Sequence, residues 1–278
     1  MAWALILHGG AGNYEAAQLN ESQEFLTDLC QRLEKILIQD GSRACVLKGL
    51  QELEDHPAYN AGTGGNLQAD GVIRLTASLM DFQNGFASIS NLEQTRYPSL
   101  VADRLLGQRF PNLMGIQATL FAREQGFQPW QNLIPARLEK YRQRLEGKYS
   151  TVGVCALDEQ GRLFSGTSTG GVGYETPGRM SDVATPCGTY VSDKIALSAT
   201  GVGETIINSA ILPKLAGLLD YGIPLDQAWE FACHEFVRLK GDGGFIGLGS
   251  SGRLLAFHNT KGMRFIGTNS FGDCLKHW

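Results

Sequence analysis

Four short polar motifs follow one another in the second half of the 278-residue chain. The first begins at Thr151, and the others span residues 167–171, 177–182 and 200–204. Each motif by itself is typical of a loop. Because all four occur in this order within a short stretch, they indicate a single site built around the threonine that opens the series.

Thr151 could act as a nucleophile if a base accepted its hydroxyl proton. An α-amino group has a pKa of about 7.7–8.0, so the amine of Thr151 could be that base if Thr151 were the first residue of a chain. This chemistry requires cleavage between Ser150 and Thr151. The Thr151 hydroxyl can start that cleavage by attacking the Ser150 carbonyl, which gives an ester that water hydrolyses. The sequence therefore predicts self-cleavage into a 1–150 α subunit and a 151–278 β subunit.

Two further threonines and a glycine suit the chemistry of acyl transfer. Thr200 and Gly201 lie between a predicted strand and a predicted helix, where a hydroxyl and an N–H could bind an oxyanion. Thr169 could form a hydrogen bond with Thr151 and set its geometry. We therefore predict that Thr151, Thr169, Thr200 and Gly201 form the catalytic set.

The third motif carries two opposite charges close together. Arg179 offers a planar fork for a substrate carboxylate. Asp182, three residues further on, could bind an ammonium group. An arginine and an aspartate beside a nucleophile predict a substrate with the head group of a free amino acid.

Strand and helix signals alternate in blocks along the chain, with hairpins throughout and few βαβ units. This order predicts antiparallel sheets with helices packed on their outer faces, an α+β sandwich of layers in one domain over residues 1–278. The predicted strands are 2–7, 72–80, 86–90, 152–157, 163–169 and 194–200, with a closing meander of 245–248, 253–257 and 263–267. The predicted helices are 22–41, 46–53, 100–110, 114–126, one that starts at Glu204, and 225–240.

Three segments between these elements have their own interpretation. The glycine-rich run 8–12 is predicted to be a tight turn that supports the site. The charged segment 129–149 is typical of an exposed connector that ends just before Thr151. Residues 247–252 match the G-x-G-x-x-G pattern of dinucleotide sites, but a strand follows them, which favours a hairpin turn.

Composition excludes several other classes. A net charge of −4 gives no electrostatic footprint for nucleic acid. The six cysteines contain no C-x-x-C pair, so zinc ribbons and dense disulfide scaffolds are poor interpretations. No apolar run reaches the roughly 18 residues of a membrane helix. We expect a soluble protein of a reducing cytoplasm.

The motifs together resemble those of the N-terminal threonine hydrolases, in the group of plant-type asparaginases and isoaspartyl peptidases. The resemblance covers nearly the whole chain. It rests on the runs 8–12, 59–64, 77–81, 151–153, 167–171, 177–182, 200–204, 243–244 and 259–263.

The resemblance implies a role for each candidate residue. Thr151 would be the nucleophile, Thr169 its support, and Thr200 with Gly201 the oxyanion hole. Arg179 would bind the substrate α-carboxylate, Asp182 the α-amine, and Gly203 would line the pocket. The resemblance also implies a four-layer αββα sandwich, the Ntn-hydrolase fold, working as a dimer of cleaved protomers on asparagine or β-aspartyl dipeptides without a catalytic cofactor. A structural sodium ion would bind the main-chain carbonyls of Leu53, Glu54, His56, Tyr59, Ala61 and Thr63.

The chain departs from this family pattern at three positions. Members usually have glycine or aspartate before the nucleophile, where this chain has Ser150. Thr76 replaces an aspartate and Phe82 replaces a glycine around the run 77–81. These departures bear on the rate of self-cleavage and on substrate preference.

Three other functions remain open on the sequence alone. A glycosylasparaginase is disfavoured by the runs 170–171 and 201–204, which look like the asparaginase branch. An endopeptidase is disfavoured because Arg179 and Asp182 suit a free amino-acid head group. A non-catalytic homologue, whose precursor stays uncut and serves as a binding protein, is kept open by Ser150.

Overall fold

Two β-sheets and seven α-helices make up the computed structural model, which describes residues 2–12, 16–144 and 151–278. The strands are β1 (Ala4–Gly12), β2 (Leu75–Asp81), β3 (Gly85–Leu92), β4 (Asn112–Met114), β5 (Val152–Leu157), β6 (Leu163–Thr169), β7 (Thr189–Val191), β8 (Ile195–Gly201), β9 (Gly243–Gly249), β10 (Leu254–His258), β11 (Gly262–Asn269) and β12 (Cys274–His277). The helices are α1 (Ala16–Asp55), α2 (Pro98–Leu105), α3 (Gly115–Glu124), α4 (Pro135–Arg142), α5 (Gly203–Ser209), α6 (Ile211–Asp220) and α7 (Leu225–Arg238), and Gly62–Gly64 and Asp182–Ala184 form short 3₁₀ turns.

The two sheets stack with helices on both outer faces. The eight-stranded sheet runs β12-β11-β1-β5-β6-β2-β3-β4, and the four-stranded sheet runs β10-β9-β8-β7. One apolar core lies between the eight-stranded sheet and helices α1 to α3, and another lies between the four-stranded sheet and helices α5 to α7. A third core, with Ile6, Cys155 and Ile246, fills the gap between the sheets. The predicted four-layer αββα sandwich is confirmed.

Strands from both sides of Thr151 share the larger sheet. β5 starts directly after Thr151 and pairs antiparallel with β1, near the start of the chain, and with β6. The two predicted subunits would therefore remain joined by a continuous ladder of hydrogen bonds after a cut. Helix α1 bends at Gly41, where φ is 86°, so the predicted break at this glycine is confirmed, although the helix begins at Ala16 and not at Ser22.

The run 8–12 was predicted as a turn, and this prediction is wrong. β1 continues through it to Gly12, with an irregularity in its pairing to β11 between His8 and Ala11. The closing meander is also partly wrong. β9 and β10 form the predicted hairpin at the 247–252 run, but β11 crosses to the other sheet and pairs with β1. An apolar strand pattern specifies a buried strand without specifying which sheet buries it.

Residues 129–144, the described part of the predicted connector, are mostly exposed, as predicted, but they include a helix and two buried side chains, Asn132 and Arg137. The helix is α4, and Arg137 is only 9% exposed, with Nη2 donating to the Tyr59 carbonyl at 3.4 Å. The long aliphatic stem of arginine lets it bury a position that a charge count marks as exposed. No helix within the described residues is long and apolar enough to cross a membrane.

Candidate functional site

The predicted nucleophile and its support lie on adjacent strands of the larger sheet. Thr151 immediately precedes β5 and Thr169 ends β6, and β5 and β6 pair so that Val152 lies opposite Ser168. The Thr151 hydroxyl donates to Thr169 Oγ1 at 3.3 Å. Both side chains are buried, at 5% and 3% exposure. The expected hydrogen bond is therefore present, at the edge of the gap between the sheets.

The predicted oxyanion donors come from the other sheet. Thr200 and Gly201 end β8. The N–H of Ala11, at the end of β1, donates to Thr200 Oγ1 at 3.2 Å. Because the oxygen of Thr200 accepts this bond, its own proton is available to a negatively charged oxygen in the gap. The glycine-rich end of β1 thus orients Thr200, which is a role that a turn would not explain.

Strand packing brings these two halves together. A Cβ added to Gly153, two residues after Thr151, would overlap Ser198 Oγ, two residues before Thr200. Residues two apart on a strand point to the same face. Thr151 and Thr200 therefore face each other one step further toward the open end of the gap.

The two charged residues of the third motif meet at one glycine. A Cβ added to Gly203 would lie 2.8 Å from both Arg179 Nη2 and Asp182 Oδ1. Gly203, at the start of α5, therefore packs directly against the guanidinium and the carboxylate, in a space too small for a side chain. Gly203, Arg179 and Asp182 are thus brought together as the sequence suggested.

Asp182 is a buried carboxylate with one oxygen left over. Its Oδ1 accepts from the Ser181 hydroxyl at 3.0 Å, whereas Oδ2 has no hydrogen-bond partner within the described part of the chain. Burial raises the pKa of Asp182 to about 6, and the hydrogen bond from Ser181 and the charge of Arg179 only partly oppose this. A buried, unsatisfied carboxylate oxygen is costly unless a donor arrives. This oxygen is therefore suited to receive a charged donor from a ligand.

Arg179 already has one partner that the sequence analysis did not assign. Glu204 binds it with two bonds, Oε1 to Nε at 2.7 Å and Oε2 to Nη2 at 2.8 Å. This pairing lowers the pKa of the Glu204 carboxyl. The signal was available, because Glu204 is an acid at the first turn of a predicted helix in one of the four motifs. Its pairing with Arg179, 25 residues away, was not readable from spacing.

The loop around residues 59–65 packs against the backbone that follows Thr169. The Gly170 N–H donates to the Asn60 carbonyl at 2.9 Å, and Asn60 Nδ2 donates to the Gly171 carbonyl at 2.5 Å. A Cβ on Gly170 would overlap the backbone of Gly65. The backbone directly after Thr169 is therefore held against this loop.

The same loop presents main-chain carbonyls at the end of α1. Pro57 has no N–H, so the helical bond to the Leu53 carbonyl cannot form. The N–H of Ala58, which would otherwise bond to Glu54, donates instead to His56 Nδ1 at 3.2 Å. A Cβ on Gly62 would lie 2.5 Å from the Glu54 carbonyl oxygen, which shows how tightly the loop folds back. Main-chain carbonyl oxygens can bind a monovalent cation. Three of the six predicted carbonyls, those of His56, Tyr59 and Ala61, also accept hydrogen bonds from within the protein.

The three departures from the family pattern lie in different places. Ser150 lies outside the described residues. Thr76 pairs opposite Thr169 and shares a 3.3 Å hydrogen bond with Ser90, so it adjoins the site. Phe82 lies beyond the opposite end of β2, is 65% exposed, and lines a separate surface cavity of about 500 Å³. Of the latter two substitutions, Thr76 is the one placed to affect a substrate.

A four-layer αββα sandwich with a threonine at the edge of its inter-sheet gap defines the class of Ntn hydrolases. Within that class, the profile of the asparaginase family matches residues 1–149 and 128–273, and the chain belongs to this family.

Several curated relatives align over most of their length. The isoaspartyl peptidase/L-asparaginase of Nostoc sp. is 32% identical over 275 residues, covering 90% of this chain and 86% of the relative. The isoaspartyl peptidase of Salmonella typhimurium is 32% identical, covering 93% of both chains. The plant-type L-asparaginase of Pyrobaculum calidifontis is 30% identical, covering 93% of this chain and 94% of the relative.

Proposed function

We propose that this chain is a self-cleaving amidohydrolase that releases L-aspartate from L-asparagine or β-aspartyl dipeptides. The observation that supports this substrate class most directly is that a guanidinium and a carboxylate meet at Gly203. The Arg179 guanidinium and the Asp182 carboxylate lie against the same glycine, and Asp182 Oδ2 has no hydrogen-bond donor within the described residues. An α-carboxylate and an α-ammonium on one carbon satisfy both groups at once.

The first half-reaction acylates the threonine. After cleavage before Thr151, its α-amine accepts the hydroxyl proton while Oγ attacks the side-chain carbonyl of the bound substrate. Negative charge develops on the carbonyl oxygen and is stabilised by the Thr200 hydroxyl and the Gly201 N–H. The C–N bond then breaks, the amine of Thr151 returns its proton to the leaving nitrogen, and ammonia or an amino acid departs. The product is a β-aspartyl ester of Thr151.

The second half-reaction hydrolyses that ester. The same α-amine accepts a proton from water, whose oxygen attacks the ester carbonyl. Thr200 and Gly201 again bind the oxyanion. Collapse breaks the bond to Thr151 Oγ, which regains its proton, and aspartate leaves. Thr169 acts throughout as a positioning residue for the nucleophile.

The decisive experiment combines mass and activity. The intact mass of freshly purified protein, with sequencing of any second N-terminus, should give two fragments, one beginning at Thr151. The cleaved protein should then hydrolyse L-asparagine and β-aspartyl dipeptides. Thr151→Ala should give one uncut, inactive chain. An active Thr151→Ala protein, or a wild-type chain that stays whole and only binds ligands, would overturn the proposal.

Two structural features accompany the proposed function. A sodium ion on the carbonyls of the 53–63 loop would offset the partial negative charge at the end of α1, whose last turn has no basic residue. The ion would stiffen the loop that holds Gly170 and takes no part in the chemistry. We also propose that cleaved protomers pair as a homodimer in the cytoplasm, which sedimentation of the purified protein would test for the dimer.

A further inference from the structure

The gap between the two sheets changes character along its length. Toward one end it is filled by apolar side chains such as Ile6, Leu157 and Leu248. Toward the end that carries Thr151, hydroxyl groups and one imidazole replace them. The fully buried polar side chains in this part of the gap are His8, Ser78, Ser165, Thr167, Thr189, Ser198 and Thr200.

Five of these residues form one continuous chain of hydrogen bonds, which we call the cross-sheet chain. His8 Nε2 lies 2.9 Å from Ser198 Oγ, and Ser198 Oγ lies 2.7 Å from Thr167 Oγ1. Thr189 donates to Thr167 Oγ1 at 2.5 Å, and Thr189 Oγ1 lies 2.7 Å from Ser78 Oγ.

Every bond in the cross-sheet chain passes from one sheet to the other. His8, Thr167 and Ser78 belong to β1, β6 and β2 of the larger sheet, whereas Ser198 and Thr189 belong to β8 and β7 of the smaller sheet. The five residues therefore alternate between the sheets. Apolar packing resists separation of two sheets but has little directional preference, whereas hydrogen bonds weaken steeply when distance or angle changes.

The cross-sheet chain lies next to the proposed catalytic set, displaced by two residues along the strands. Thr167 lies two residues before Thr169 on β6, and Ser198 lies two residues before Thr200 on β8. On β5 the matching position is Gly153, where a Cβ would overlap both His8 Nε2 and Ser198 Oγ. A side chain there would break the bond, so glycine leaves the space that the His8–Ser198 contact occupies.

The His8 imidazole in the cross-sheet chain carries no charge near neutral pH. Burial lowers the pKa of His8 to about 3, and interaction with the Thr151 backbone opposes this only in part. A neutral imidazole has one donor and one acceptor nitrogen; Nε2 contacts the Ser198 hydroxyl, whereas Nδ1 has no hydrogen-bond partner of normal geometry within the described residues.

We propose that the cross-sheet chain is a positioning device that fixes the separation of the Thr151 nucleophile on one sheet from the Thr200 oxyanion donor on the other. Nucleophile and oxyanion donor sit on different sheets, so their distance is the spacing of the sheets at this end. The inference rests on the proposed function for its kinetic consequence, but the spacing itself is a property of the fold.

A matched pair of variants at Thr167 tests the proposal. Thr167→Val keeps the shape of the side chain and removes its hydroxyl, whereas Thr167→Ser keeps the hydroxyl and removes a methyl group. An error of about 1 Å in the placement of reacting groups can cost about 100-fold in rate. We expect Thr167→Val to lower kcat by about 10-fold to 100-fold with little change in KM, and Thr167→Ser to stay within about 3-fold of wild type.

Ser165→Ala provides the control for simple destabilisation. Ser165 lies two residues further from the site on the same strand, is equally buried, and donates to the Leu197 carbonyl at 2.9 Å. We expect the decrease in Tm of this variant to be comparable to that of Thr167→Val, and its kcat to stay at the wild-type value. Equal losses of kcat in Ser165→Ala and Thr167→Val would overturn the proposal, because the effect would then be general weakening of the gap.

Crystal structures of the variants separate this proposal from the proposed function. The distance between Thr151 Oγ and Thr200 Oγ1 should change in Thr167→Val and not in Thr167→Ser, whether or not the protein is active. If wild type proves uncut and inactive, the proposed function fails and this distance alone decides the positioning inference. An unchanged distance and unchanged kcat in Thr167→Val would refute it. If Thr167→Val does not fold, Thr189→Val and Thr189→Ser make the same comparison.

Discussion

The carboxylate of Glu204 holds the guanidinium of Arg179 by two parallel hydrogen bonds of 2.7 and 2.8 Å. The pair is asymmetric, since the Arg179 side chain is 15% exposed and that of Glu204 is 58% exposed. Glu204 uses the Nε and Nη2 edge of the fork and leaves Nη1 for another acceptor. The exposed acid therefore acts as an outer clamp that holds the less exposed Arg179 side chain in place beside Gly203.

Removing this clamp should weaken substrate binding. Glu204→Ala frees Arg179 to rotate, and we expect KM to rise by about 10-fold with kcat changed by less than about 2-fold, a difference of about 1.4 kcal/mol. The loss of a negative charge near the substrate carboxylate acts in the opposite direction. Because Glu204 is mostly exposed, solvent screens that repulsion and orientation should dominate. Steady-state kinetics on asparagine and a β-aspartyl dipeptide measure the effect.

Helix α7 contains a matched control for the clamp. Glu235 binds Arg238 with the same two-bond geometry, at 2.7 and 2.8 Å, on the outer face of the molecule. Glu235→Ala should leave KM unchanged. A fall in KM for Glu204→Ala would mean that Glu204 competes with the substrate for Arg179 and does not orient it.

The raised pKa of Asp182 predicts a specific loss of affinity in acid. Its folded-state pKa of about 6 lies above the ordinary value of 3.8, so the carboxyl takes up a proton as pH falls below about 6. The protonated form cannot pair with an ammonium group. The inhibition constant of L-aspartate should therefore rise by about tenfold for each pH unit below 6. The same shift means that burying the charged form costs stability, a cost that appears as pH rises from about 4 to 6 and is absent below it.

Succinate is the control for this pH dependence, because it lacks the amine that Asp182 would bind. Its inhibition constant should not rise below pH 6 for this reason. If aspartate and succinate weaken in parallel, another group is titrating, and Asp182 is not the ammonium site.

Local sequence signals were sufficient for most elements, whereas the membership of the site stays a prediction. The order of the four motifs led us to expect one site, and the structure places Thr151 and Thr169 3.3 Å apart. The helix break at Gly41 and the hairpin at 247–252 could also be predicted, because turns and helix breaks depend on the residue types at those positions.

Partnerships between distant residues could not be predicted. His8 and Ser198 are 190 positions apart, and nothing in either neighbourhood specifies the other. The burial of Arg137 was not predicted for a similar reason, since the Tyr59 carbonyl to which it donates lies 78 positions away. The sheet to which β11 belongs depends on global topology, for which a short strand carries no signal.

Gly203 should be intolerant of any side chain. In Gly203→Ala the new methyl group would lie 2.8 Å from both Arg179 Nη2 and Asp182 Oδ1, inside normal contact distance. We expect kcat/KM to fall by about 100-fold, chiefly through KM, with folding retained. The control is Gly217→Ala in α6, where a Cβ meets nothing within 4 Å. That variant should be fully active and more stable by about 0.5–1 kcal/mol, because alanine is the better helix former. Equal activity in both variants would place the substrate elsewhere.

The carbonyl loop at the end of α1 should make stability depend on sodium. An ion that binds only the folded state adds about 2.7 kcal/mol at 100 times its dissociation constant, which is several degrees in Tm for a chain of this size. Replacing sodium chloride by choline chloride at constant ionic strength should therefore lower Tm. A Cβ on Gly64 would lie 2.9 Å from the Pro57 carbonyl oxygen and overlap that of Tyr59, so Gly64→Ala should lower Tm in both salts and abolish the difference between them. An equal Tm for wild type in the two salts would show that the loop holds its shape without an ion, with the Arg137 bond to Tyr59 supplying the positive charge instead.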